Sequence, residues 1–115
     1  MNKVYIISAK RTAVGSFLGT LANTSAVDLG TAVTKAILED SGVSPDKIDE
    51  VILGNILSAG LGQNISRQIA LKCGIPESTP SFTIYKVSVS GMKAFHLAYQ
   101  IILLVEADAI IAGGT

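Results

Sequence analysis

Cysteine and histidine are nearly missing from this sequence: Cys73 and His96 are the only ones among its 115 residues. One cysteine excludes an internal disulfide and, with one histidine, any zinc cluster built from this chain alone. An excess of charge of either sign is also missing. Lys plus Arg and Asp plus Glu number 9 each, so no basic field exists to gather phosphates, and no nucleic-acid partner is expected. Nor is there an apolar run of the ~20 residues that a membrane span requires. The longest stretch, residues 94–105, is broken by His96 and Gln100 and reads as a buried helix, so no membrane partner is expected. The first eight residues lack the charged start, apolar middle and small-residue cleavage site of a secretory signal, which makes the cytoplasm the expected compartment. What is abundant is hydrophobicity. At 49% apolar residues, the chain has enough to bury a core as one globular unit.

Periodicity divides the chain into alternating elements. Residues 4–8 form a short β-branched and aromatic run, read as a strand, followed by a polar, glycine-containing loop over residues 11–23. Ser25 and Asp28 have capping-box spacing. Leu29, Val33 and Ile37 then recur at intervals of four up to Ser41-Gly42, which predicts a helix over residues 26–40. Ser44-Pro45-Asp46 resembles an N-cap with proline in the first turn and leads to a buried strand over residues 50–54. After the Gly60-Leu61-Gly62 turn, Ile65 and Ile69 mark a shorter helix closed by Gly74 and Pro76. Residues 80–87 alternate as a third strand. Residues 88–105 are apolar on nearly every face, the mark of an enclosed helix, and residues 108–114 form a fourth strand and turn. The alternation predicts a layered α/β fold.

Chemistry concentrates in Tyr85-Lys86-Val87-Ser88-Val89-Ser90-Gly91-Met92-Lys93-Ala94, where a strand runs directly into a helix. A residue at such a junction meets the helix's unpaired N–H groups and partial positive charge, which favour a developing anion. Cysteine there would be an activated nucleophile, whereas Ser88 keeps its proton unless a general base removes it. His96 stands eight residues further on, ~12 Å along the helix axis, and is read as a helix residue satisfied by a neighbour or solvent. A nucleophile elbow of the hydrolase type would need glycine two residues before the serine, where Lys86 stands. Gly60-Leu61-Gly62 lacks the third glycine of a dinucleotide loop, with Ile65 in its place, so a tight turn is the better account. Cys73 beside Gly74 reads as a buried or cap-adjacent residue at a helix end.

The junction is similar to the active-site motif of the thiolases, whose common form is Asn-Lys-Val-Cys-Gly-Ser-Gly-Leu-Lys-Ala. Further segments resemble that family in order. They are Ser8-Ala9-Lys10-Arg11-Thr12-Ala13-Val14-Gly15-Ser16-Phe17, Ala26-Val27-Asp28-Leu29-Gly30, residues 54–64 followed by Arg67-Gln68, and residues 107–114. The resemblance implies a partial thiolase N-terminal domain over residues 1–115, incomplete, with a mixed sheet covered by helices. It implies acetyl-CoA C-acetyltransferase chemistry: acyl transfer between coenzyme A and an enzyme thiol, then Claisen condensation to acetoacetyl-CoA, or the reverse thiolysis. Coenzyme A thioesters would be substrates, with no permanently bound cofactor and with homo-oligomers as the assembled form. The coenzyme A contacts are not assigned to residues of this chain. Ser88 takes the position of the acyl-accepting cysteine, Val89 replaces glycine and Tyr85 replaces asparagine. The family's activating histidine and second cysteine lie in a later half, so the chain alone is expected to be inactive. The alternatives are a non-catalytic fragment acting through association and, more remotely, a serine acyl hydrolase. The resemblance also suggests that Arg11 and Arg67 order loops.

Overall fold

The computed structural model describes residues 3–115. Its elements follow in the order α1 (Ala26–Ser41), a 3-10 turn (Pro45–Lys47), β1 (Glu50–Gly54), α2 (Ile65–Lys72), β2 (Ser81–Ile84), α3 (Ser90–Leu103) and β3 (Ile110–Gly114). Local chemistry sets the ends of α1. The Ser25 side chain accepts a hydrogen bond from the Asp28 N–H at 3.0 Å, and Gly42 closes the helix in the left-handed conformation at φ 70°, which glycine adopts without a Cβ penalty.

The three strands form one sheet in the order β2-β1-β3. Both pairings are parallel, with Val51 opposite Ser81 and Ile111. Successive strands linked through helices must run this way, because only a crossover returns the chain to the same end of the sheet. The expected mixed sheet is therefore corrected for the described residues, whose three strands are all parallel.

β1 is central, and its side chains alternate between two cores. Val51 and Leu53 join Val27, Ile65, Ile69 and Ile111 in the larger one, beneath α1 and α2. Ile52 points the other way and meets Ala94 and Ala98 of α3. The helices thus cover both faces, as the layered α/β reading required. Among the described residues no helix is long and apolar enough to cross a membrane.

Three boundaries differ from the sequence expectation, the first being the third strand, which was expected to reach residue 87 and ends at Ile84. Residues 4–8 form no strand: Tyr5, Ile6 and Ile7 are exposed, and a groove of about 950 Å³ lies between this segment, α1, α3 and β3. An apolar β-branched run reports a preference for pairing, but a ladder needs a neighbour within about 4.8 Å. The helix expected from Ser88 begins at Ser90 instead. Val87 adopts the left-handed conformation at φ 47°, so the chain makes a turn before entering α3.

Candidate functional site

β2 ends at Ile84 and α3 starts at Ser90, which leaves five residues, 85–89, to turn a strand into a helix on the opposite face of the sheet. Val89 N–H donates to the Lys86 carbonyl and Ser90 N–H to the Val87 carbonyl, both at 3.2 Å. The Ser90 hydroxyl accepts from Lys86 N–H at 2.8 Å and donates to the Val87 carbonyl at 2.6 Å. Tyr85, Val87 and Val89 are exposed around this turn. Ser88 is exposed at its tip, two residues before the first residue of α3. It stands just ahead of the helix end whose first-turn N–H groups lack intrahelical partners and carry the positive pole of the dipole.

Glycines bring that helix end onto the sheet. A Cβ at Gly54, the last residue of β1, would stand 2.4 Å from the Ser90 carbonyl carbon, and one at Gly114 would stand 3.2 Å from Gly91 Cα. The first turn of α3 therefore rests on the C-terminal ends of β1 and β3, and residue 88 projects beyond the carboxyl edge of the sheet, where open parallel sheets place their ligands. Beside it, Asn55 donates through Nδ2 to the Thr115 carbonyl at 2.7 Å, while its buried Oδ1 has no partner among the described residues. Asn55 and Tyr85 also line a cleft of about 200 Å³ at this edge. Ser88 lines neither this cleft nor the groove beside β3.

His96 is exposed on α3, eight residues beyond Ser88 or ~12 Å along a helix axis. Cys73 is buried, with Sγ 3.6 Å from the Thr31 carbonyl oxygen. Burial pushes its thiol pKa up, against a smaller opposing influence from Lys35, the environment of an inert thiol. Arg67 spans the loop before β2, donating to the carbonyls of Thr79 at 2.9 Å and Glu77 at 2.7 Å. It orders that loop, whereas Arg11 reaches, among the described residues, only the carbonyl of its neighbour Thr12. Gly60 and Gly62 both have positive φ in the turn before α2.

Sequence reasoning missed Asn64. It caps α2 from a left-handed backbone, accepts from Thr83 Oγ1 at 2.8 Å and donates to the Ser81 carbonyl at 2.9 Å, thereby fastening α2 to β2. An Asn directly before a helical run was the available signal. Ser66 and Thr83 were missed too. Fully buried Ser66 accepts from the Leu53 N–H at 3.2 Å and lies 3.0 Å from Thr83 Oγ1.

Together these features define a layered α/β protein with a candidate covalent site between a parallel strand and a helix that, against the expectation of an enclosed one, buries only the face carrying Ser90, Ala94 and Ala98. The chain belongs to the thiolase family: the thiolase N-terminal domain matches residues 4–115. It is 52% identical over 111 residues to an acetyl-CoA acetyltransferase of Allochromatium vinosum, covering 96% of this chain and 28% of that protein. A probable acetyl-CoA acetyltransferase of Escherichia coli is 53% identical over 114 residues, covering 99% of this chain and 29% of that one. A solved thiolase from Ascaris suum, in complex with coenzyme A, superposes with a TM-score of 0.94 at 47% identity, across 96% of this chain and 29% of its own. The chain thus spans under a third of the length of these relatives.

Proposed function

We propose that this chain forms the acyl-accepting part of a thiolase-type acetyltransferase site, with residue 88 as the acceptor. In that reaction residue 88 forms a bond to the acyl carbon, the bond from that carbon to coenzyme A sulfur breaks, and the acceptor's proton passes to the departing sulfur. Condensation with a second acetyl-CoA gives acetoacetyl-CoA, and thiolysis is the reverse. The reading is carried by the exposed placement of Ser88 immediately before α3. The relatives named as acetyl-CoA acetyltransferases and the neighbour that binds coenzyme A support the substrate class. We also propose a cytoplasmic homo-oligomer joined along the free edge of β2, where Phe82 and Tyr85 are exposed.

With serine at position 88, the acceptor is a hydroxyl that needs a base, and His96 lies eight residues further on, ~12 Å along a helix axis. This observation favours a second reading, in which the chain acts by association without catalysis. A chimera separates the two. This chain replaces the matching segment of the Escherichia coli relative, and thiolysis of acetoacetyl-CoA is measured. The Ser88 chimera is expected to be slower than the relative by about 10⁴-fold or more, the scale of losing a covalent nucleophile. Ser88→Cys with Val89→Gly is expected to restore turnover. A folded double-variant chimera without turnover would remove the acyl-acceptor reading.

A further inference from the structure

We propose that Ser90 is a positioning residue, holding the turn at residues 86–88 so that residue 88 stays at the amino end of α3. The inference rests on the acyl-acceptor reading of residue 88. Ser90 is only 3% exposed, so its hydroxyl has few choices of partner. It uses both functions on the same turn, accepting from Lys86 N–H and donating to the Val87 carbonyl. Between those groups lies the φ of Val87, at 47°. That conformation is a genuine outlier for a β-branched residue and persists only where its surroundings enforce it.

The clasp is the local enforcement. By gripping the backbone on both sides of Val87, Ser90 prevents relaxation to an ordinary negative φ, which would swing residue 88 away from α3. Ser90 is itself fixed. Its backbone lies against Gly54, where a Cβ would meet the Ser90 carbonyl carbon at 2.4 Å, so the hydroxyl is held in register with the end of β1. Sheet, helix and turn are thus linked through one side chain that does not touch the reacting atoms.

The test needs no turnover. In Ser88→Cys the rate of alkylation by iodoacetamide is followed against pH, with peptide mapping to separate residue 88 from buried Cys73. The reactivity midpoint is expected below the ordinary thiol value of ~8.5. Adding Ser90→Ala should move that midpoint upward and slow alkylation at pH 7 at least tenfold, by an order-of-magnitude expectation for losing the helix-end field. Ser90→Thr, which keeps the hydroxyl, should restore both. Identical profiles with and without Ser90→Ala would overturn the role of Ser90 while leaving residue 88 as an activated acceptor. An ordinary thiol profile in Ser88→Cys itself would overturn both. A further measurement on the unsubstituted chain guards against misfolded variants. Hydrogen exchange at the Lys86 amide should be slowed by its bond to Ser90, and exchange at the rate of a free amide would overturn the clasp directly.

Discussion

A methyl group added at Gly54 would lie 2.4 Å from the Ser90 carbonyl carbon and 2.5 Å from the Gly91 nitrogen. Both are backbone atoms, so the clash cannot be relieved by turning a side chain. In a strand Ala would ordinarily be preferred to Gly by roughly 0.5–1 kcal/mol, and the sign here should reverse. Gly54→Ala is expected to destabilise the chain by about 1–3 kcal/mol, the usual range for overpacking, as read from the midpoint of urea unfolding. Unchanged or increased stability would show that α3 does not bear on the end of β1. The contrast is Gly42, which is left-handed at φ 70° and has nothing within 4 Å of an added Cβ. Replacement there should cost only what the positive φ demands.

At the scale of elements, the amino ends of the strands carry an electrostatic load. Burial raises the pKa of Glu50, the first residue of β1, above 4.5, and the negative charge of Glu106 adds to the effect. The folded chain therefore binds this proton more tightly than the unfolded one. Above pH 4.5 the unfolded state binds fewer protons at this site, so its contribution to stability falls as pH rises through the folded pKa. Glu50→Gln should remove that dependence and stabilise the protein modestly near neutrality relative to the parent. Denaturation midpoints of both proteins between pH 4 and 8 check this, and parallel profiles would contradict it. The elements themselves were legible where their signals are local. Ser25, Asp28 and Gly42 delimit α1, and the apolar runs of β1 and β3 stand where expected. Residues 4–8 were misread because their apolar pattern does not reveal whether a neighbouring strand exists. The start of α3 was misread because Ser88 and Val89 suit a helix by composition, whereas the left-handed Val87 is enforced by the buried neighbour Ser90. The candidate site was legible as a position, Ser88, but not as a geometry. Its supports, Gly54, Ser90 and Gly114, are small residues whose roles appear only once three elements meet.

Over the whole molecule, apolar surface remains in water. The outer face of α3 exposes Met92, Phe95 and Tyr99, the edge at β2 exposes Phe82 and Tyr85, and residues 5–7 are exposed beside the groove. Covering such side chains is worth roughly 1.5–3 kcal/mol each, comparable in sum with a domain's net stability of roughly 5–15 kcal/mol. The purified chain is therefore expected to associate. Light scattering after size exclusion at micromolar concentration should give a dimer or larger species, and a well-folded monomer across the dilution range would refute this. The meeting of Gly54, Gly91 and Gly114 has a spectroscopic consequence as well. Because no side chain separates these backbones, α-protons distant in sequence lie close enough for dipolar cross-relaxation. A nuclear Overhauser cross-peak between Gly91 and Gly114 would thus be a label-free signature that sheet and helix have assembled around residue 88, visible whether or not any substrate is turned over.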